Sequence, residues 1–488
     1  MNQLQMSNSE KNDNYIFYFL FFITIISLIS KEITLLLSVL FITVSLFLLM
    51  KNNKTNVILM LFYLVIFQNF LVALLFGNDY FVNIATLFDY WKEVYLISII
   101  TISFFFLDRN FRIMFVDVLM VLLVIYLMGL FFLYNSSDKT AEIYSLRQIL
   151  LPSILYIAGR LITYKNIINY EKIVKHLFFL ATLIAIFGII ESYVYKSLWK
   201  DLNLFNYFIY KQGDYLKQAA IDNPIPLNFV TYDFSSFFGG YVRRIASFLL
   251  NPPVLGHLMA YFSLVFIYLK KDIFEKNLLK VKYLYSLSLM LMIFTTVFSL
   301  GKGGIITLSM GLFYYVYFIL KNKKILYLAN LMVLISIFFT ISYLIFAVVN
   351  NLSGLKHIYG LLNSFTETDN IFGHGLGSGG NIAAKFTGKS EVEESFLGLV
   401  FYQTGIFGTM LFSVLYISIF ITGLKIAKNI KNNLEKKFFV VTIVNIFSNF
   451  LVSFVTESAI SFTSIGIQFV ILGSIFTNTL KKSEKRSG

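Results

Sequence analysis

Apolar runs of about 20 residues recur along almost the entire chain, the length at which a helix crosses the hydrocarbon core of a bilayer. Inside lipid no water is available to backbone amides and carbonyls, so such a run satisfies its own hydrogen bonds as a helix. The pattern predicts an all-α polytopic membrane protein with about 14 transmembrane helices, drawn over residues 15–30, 33–50, 57–76, 94–107, 113–134, 149–163, 176–195, 254–269, 283–300, 304–320, 325–349, 404–424, 438–456 and 459–480. The fourth and sixth of these spans are the shortest.

Composition closes off the soluble alternatives. Of the 488 residues 58% are hydrophobic and 14% charged, with a mean hydropathy of +0.75, far from the balance of a soluble globular chain. With no cysteine, neither a disulfide framework nor a thiolate metal site is available. The first apolar run lacks a small-residue cleavage site and further spans follow it, which predicts a retained helix rather than a signal peptide. The net charge of +14 is not a nucleic-acid signal, because it sorts by side of the membrane. With the N-terminus in the cytoplasm, 25 Lys and Arg fall inside and 14 outside, with Arg160 within a span. This is the positive-inside pattern.

The same orientation puts both termini in the cytoplasm and turns two long polar segments outward. The expected organisation is a cytoplasmic tail (1–14), seven helices (15–195), a first long outer loop (196–253), four helices (254–349), a second long outer loop (350–403), three helices (404–480) and a cytoplasmic tail (481–488). The longer loop has about 58 residues, too few for an ordinary independent core.

What such a chain holds outside the lipid is where chemistry is expected. The first loop ends in Arg243-Arg244-Ile245-Ala246-Ser247 and Asn251-Pro252-Pro253. Two guanidiniums at a lipid–water boundary suit a diphosphate, since each offers planar, bidentate, charge-assisted hydrogen bonds. Contact with lipid headgroups is the plainer use of the same residues. Between the ninth and tenth spans, Ser299-Leu300-Gly301-Lys302-Gly303-Gly304 puts a cation on a glycine turn. Arg147, at the outer end of the sixth span, faces the same side and is a candidate third cation.

The second loop carries Lys356-His357-Ile358-Tyr359-Gly360, then the string Gly373-His374-Gly375-Leu376-Gly377-Ser378-Gly379-Gly380, then Glu391, Glu393 and Glu394. No strand precedes the glycines and no βαβ unit surrounds them, which excludes a dinucleotide fingerprint. A tight surface turn is their expected use. Glu394 stands at the edge of an apolar run that starts at Phe396, a setting that suits a general base. His357, His374 and Glu394 could also ligate a metal, but nothing in their spacing demands one and none is expected. Within the spans, Asp117 and Arg160 lie near cytoplasmic ends and are expected to snorkel. Glu191 is a poor candidate for ion transport, and Phe234, Phe237, Phe238 and Tyr241 read as interfacial aromatics.

At these residues the chain resembles the O-antigen polymerase/ligase family, specifically the Wzy-type repeat-unit polymerases of capsular and exopolysaccharide assembly. The stretches that carry the resemblance are Arg244 to Gly256, Ser299 to Gly304, His357 to Gly360, Gly373 to Gly377 and Glu394 to Gly408. It covers roughly residues 147–408, the N-terminal part only as a matching pattern of spans.

The resemblance implies a helical membrane bundle with an outer catalytic face in the bacterial cytoplasmic membrane. It implies a membrane glycosyltransferase that needs no cofactor. Its donor and acceptor would be undecaprenyl-diphosphate-linked oligosaccharides, and the growing glycan would pass to a sugar hydroxyl as the carrier diphosphate leaves. Membrane lipids, a flippase and a chain-length regulator are the other implied partners; nucleic acid is not one. The family's cations carry over to Arg243 or Arg244, and Lys302 stands where many members have Arg. The ligase branch usually places a histidine in the second outer loop. Here Glu394 takes the nearest place, with His374 and His357 upstream, which favours polymerase over ligase. The alternative from another class is a lipid-linked oligosaccharide flippase, also of about fourteen spans by resemblance. Two long loops and charges at the outer rim speak against it.

Overall fold

Helix α2 (Lys54–Phe76) is buried along almost its whole length, whereas α5 (Phe115–Leu133) leaves Phe132 73% and Leu133 82% exposed. The second is at least as apolar as the first, so the difference is one of position: other helices wrap α2, while α5 packs one face and turns the other outward, where hydrocarbon is the tolerable solvent. The computed structural model describes residues 16–20, 22, 24, 25, 31–51, 53–77, 79–105, 111–134, 138–164, 168–212, 229–231, 242–276, 282–320, 354–387 and 395–484.

The first half of the chain also holds α1 (Lys31–Met50), α3 (Val82–Asp89), α4 (Trp91–Phe105), α6 (Lys139–Ile162) and α7 (Tyr170–Ile189). The first long loop contains α8 (Leu198–Asp201), α9 (Phe205–Gln212) and the strands β1 (Val230–Thr231) and β2 (Val242–Arg243), paired antiparallel with Val230 opposite Arg243. Then come α10 (Pro252–Glu275), α11 (Lys282–Phe298) and α12 (Lys302–Tyr315). The second long loop holds α13 (Gly354–Glu367) and α14 (Gly380–Thr387), followed by α15 (Phe396–Asn429), α16 (Asn433–Val452) and α17 (Phe462–Glu484). The architecture is all-α apart from the short strand pair. Among the described residues, eight helical stretches are long and apolar enough to cross a membrane. The expected span at 325–349 lies outside the described residues, and that at 15–30 is described only in part.

Glycine sets the closest helix contacts. At Gly304 on α12 an added Cβ would lie 2.5 Å from the backbone of Gly256 on α10, and at Gly473 on α17 one would lie 2.2 Å from the Tyr156 carbonyl of α6. Without hydrophobic drive between helices in lipid, such backbone approach is a main source of packing. Helix α10 starts where the sequence places it. The Asn251 side chain accepts from the Val254 amide and prolines fill the first two positions, so the unpaired amides of the first turn are capped or absent.

Three findings depart from expectation. Arg160 does not snorkel: it is 2% exposed and its guanidinium binds Asp117 at 2.8 Å and the Arg112 carbonyl at 2.6 Å. A partner within reach keeps the charge in the protein rather than at the lipid surface. The short sixth span is part of the 24-residue helix α6, so Arg147 lies inside a helix rather than at its end. The twelfth span begins earlier, at Phe396, with a break at Gly405 (φ 63°, ψ −167°). An added Cβ there would sit 1.9 Å from the Ile371 carbonyl oxygen, so only glycine fits.

One end of the bundle is tied together by Lys437–Asp272 (2.6 Å), Lys276–Glu171 and Lys172 to Asn56 (2.9 Å), beside the Arg160–Asp117 pair. The described parts of both long loops gather elsewhere. Lys385 of the second loop donates to the Tyr210 carbonyl of the first at 2.8 Å.

Candidate functional site

Glu191, at the C-terminal end of α7, organises the segment that carries the arginine pair. Its carboxylate is buried and accepts from the Ala246 amide (2.9 Å), the Ser247 amide (3.2 Å), the Ser192 hydroxyl (2.8 Å) and the Trp199 indole (2.8 Å). Arg243 closes the set, donating to the Glu191 carboxylate at 3.4 Å and carbonyl at 3.0 Å and to the Lys196 carbonyl at 2.8 Å. Arg243 is thereby a strut of the loop. A buried carboxylate requires such donors, because leaving it unmatched is costly.

The neighbouring arginine points to another element. Arg244 donates from Nε to the Ser299 carbonyl at 3.0 Å and from a terminal nitrogen to the Leu300 carbonyl at 3.4 Å, while its amide binds the Phe229 carbonyl at 2.8 Å. This brings Arg244 onto the Ser299–Lys302 turn, two motifs more than fifty residues apart in sequence. Lys302 opens α12, and Gly301 caps that helix without a side-chain hydrogen bond. First-turn amides have no acceptor within their own helix, and the helix N-terminus carries partial positive charge, so the corner favours an anion.

The backbone around the corner is strained. Among the described residues four non-glycine side chains stand at positive φ, and three of them flank the corner: Ser247 (51°), Leu250 (54°) and Leu300 (48°). Each such residue costs of order 1–3 kcal/mol and persists only where its surroundings enforce it. Glu191 and its donors are that enforcement at Ser247.

The glycine string of the second loop is a buried joint rather than the expected surface turn. Gly373, Gly375, Gly377 and Gly380 all have positive φ, as only glycine does easily. An added Cβ at Gly377 would meet the Glu142 amide of α6 at 2.6 Å, and one at Gly373 the Gly405 amide of α15 at 2.5 Å. The string therefore seats the second loop between α6 and α15. His374 stacks on Tyr402 (ring centroids 4.4 Å apart), and its Nε2 lies 3.1 Å from the Glu367 carbonyl. His357 falls within α13 with its side chain outside the described residues, and Glu394 lies outside them altogether. Among the described residues no three His, Asp or Glu side chains are grouped to hold a metal.

Arg147 engages a second group. It pairs with Glu93 and stands 5.6 Å from the Tyr90 ring and 5.9 Å from the Tyr144 ring. Lys385 lies 5.5 Å from the rings of both Tyr144 and Tyr210. Burial pushes the Tyr144 and Tyr210 phenols up, so both are protonated donors at neutral pH. Gln148 donates to Glu457 at 3.2 Å, and Asn381 reaches the same carboxylate.

Of the sequence candidates, Arg244 reaches the turn that leads into Lys302, Arg243 is held by Glu191, Arg147 joins the tyrosines, and His374 ties α13 to α15. Sequence reasoning passed over Glu191, although a carboxylate at the loop end of a span facing an arginine pair was a usable signal. Tyr144, Tyr210 and Lys385 gave no local signal, because nothing in sequence joins them. No family model, curated protein or solved structure matches the chain.

Proposed function

We propose that the chain is a polysaccharide polymerase that joins undecaprenyl-diphosphate-linked oligosaccharide repeat units on the outer face of the bacterial cytoplasmic membrane. The observation that carries the reading is the contact of Arg244 with the Ser299–Lys302 turn. It unites the two basic motifs of the family resemblance at a helix N-terminus, which is anion-binding chemistry. Outside the cell no nucleotide donor is at hand, so activation arrives with the lipid. The bond from the anomeric carbon to the diphosphate breaks, the acceptor hydroxyl oxygen bonds to that carbon, and its proton passes to Glu394. Charge gathers on the leaving diphosphate, where Arg244, Lys302 and the first-turn amides of α12 lower the barrier. Arg243 holds the segment, and Glu191 holds Arg243. In this reading the chain has fourteen spans, both termini are cytoplasmic and both long loops face outward.

Purified protein supplied with its lipid-linked repeat unit should form a ladder of polymer on a gel. Glu394→Gln should lower the rate about 10²–10⁴-fold, the contribution of a general base, with protein level unchanged. A wild-type ladder from that variant would remove Glu394 from the reaction, and no ladder from wild type would sink the polymerase. Cysteines introduced at Asp214 and Ser390 should both react with an impermeant thiol reagent in intact cells. Protection of one alone breaks the outward placement of the two loops.

A further inference from the structure

The tyrosine group around Arg147 is assembled from four separate parts of the chain. Tyr90 and Glu93 come from the α3–α4 junction, Tyr144, Arg147 and Gln148 from α6, Tyr210 from the first long loop and Lys385 from the second. The Tyr90 and Tyr144 hydroxyls are 3.4 Å apart. Arg147 and Lys385 both stand against the Tyr144 ring, at 5.9 and 5.5 Å from its centroid. Tyr90 is exposed and Tyr144, Tyr210 and Lys385 are half-buried, so the rings are within reach of a ligand.

A second, independent observation comes from hydrogen bonding. Glu93 Oε2 and Gln148 Oε1 are buried acceptors with no hydrogen-bond partner among the described residues. Their other polar atoms are engaged, Glu93 Oε1 by Arg147 and Gln148 Nε2 by Glu457. An interior acceptor without a donor is costly. A ligand rich in hydroxyl donors removes that cost.

We infer that this group is a glycan subsite, in which pyranose rings lie on the Tyr144 and Tyr90 faces and sugar hydroxyls donate to Glu93 and Gln148. The inference rests on the reading of the chain as an enzyme of lipid-linked oligosaccharides, and it gives Arg147 a duty other than holding diphosphate. Sugar C–H faces carry slight positive charge and meet the negative face of an aromatic ring, while sugar edges carry O–H donors. A purely apolar ligand would leave both acceptors unmatched, and a simple anion would face Glu93 and Glu457. Tyr210 and Lys385 belong to different long loops, so the group stands where described parts of both loops meet.

The test uses the full-length protein in detergent and, as probe, the oligosaccharide freed by mild acid from the cell's own lipid-linked unit. Saturation-transfer NMR should show transfer to its ring protons for wild type and for Arg244→Ala. Tyr144→Ala should weaken binding at least about tenfold, and Tyr144→Phe, which keeps the ring, should restore most of it. Gln148→Leu, which keeps bulk and removes the open acceptor, serves as second variant should Tyr144→Ala fail to fold. No transfer in wild type, or wild-type binding by both Tyr144→Ala and Gln148→Leu, overturns the subsite. If the probe binds as expected but no polymer forms from lipid-linked units, the polymerase reading falls and the subsite stands. If polymer forms and the folded variants keep wild-type KM, the subsite falls and the polymerase stands.

Discussion

Arg160 and Arg244 both lie at the margin of an apolar stretch, yet their partners differ in kind. Around Arg160 the ion pairs tie cations to carboxylates: Arg160 binds Asp117 at 2.8 Å, and Lys437 binds Asp272 at 2.6 Å. Arg244 instead donates to two backbone carbonyls, those of Ser299 and Leu300. A carboxylate cancels a charge, and the pair then serves as a tie between helices. A carbonyl fixes a guanidinium in place without cancelling it. The lesson is that an ionisable residue in an apolar segment declares its use through its partner rather than its depth. Arg243 and Arg244 make the same point one residue apart, the first joined to the Glu191 carboxylate and the second to the turn.

The contrast breaks most sharply at Asp117. Asp117→Leu leaves Arg160 buried without its counter-charge, which should cost about 3–5 kcal/mol, seen as a lowered midpoint of thermal unfolding in detergent. The double variant Asp117→Leu/Arg160→Met removes both charges and should recover much of the loss. A single variant that unfolds at the wild-type temperature would show that the pair does not hold the bundle. Any polymer lost should track the amount of folded protein.

Arg244→Ala should do the reverse, lowering the rate about 10²–10³-fold, the scale of one lost transition-state donor, when measured on folded protein, with a smaller loss of stability than Arg243→Ala. Arg244→Lys should be impaired as well, since a point charge cannot reproduce a planar fork. Arg243→Ala should cost stability instead, about 1.5–3 kcal/mol for hydrogen bonds to a charged group. If unfolding and rate measurements showed the two arginines exchanging these effects, Arg243 would be the residue on the diphosphate.

The sequence carried the membrane architecture because apolar runs of helical length are a local property, written residue by residue. It carried the Arg243-Arg244 and Lys302 motifs for the same reason. Their meeting was not legible, because the contact of Arg244 with the carbonyls of Ser299 and Leu300 depends on how α10 and α11 pack. The difference in duty between Arg243 and Arg244 was hidden too, since it is set by the buried carboxylate of Glu191. At the glycine string, the positive φ of Gly373, Gly375, Gly377 and Gly380 followed from composition. Burial of the string against Glu142 and Gly405 did not, since those residues come from distant helices. Arg160 misled for a related reason: position along a helix resembles access to the interface until the partner on the next helix is known.

His374 should give the smallest effect, and it decides between the two carboxylate-or-histidine readings of the base. Its Nε2 lies 3.1 Å from the Glu367 carbonyl. A carbonyl only accepts, so this nitrogen carries a proton and donates. Asp369 lies 3.7 Å from the same nitrogen. The ring stacks on Tyr402, whose carbonyl also accepts from the His374 amide at 2.9 Å. The side chain thus works as a clip between α13 and α15, a task that needs a donor and a flat ring rather than a proton acceptor. His374→Ala should lower stability by about 1–2 kcal/mol, one hydrogen bond and one ring contact. Its rate, measured on folded protein, should fall less than about tenfold, below the range of a lost general base. A loss of a hundredfold or more at native stability would make this histidine the base in place of Glu394, and the ligase-like alternative would then gain.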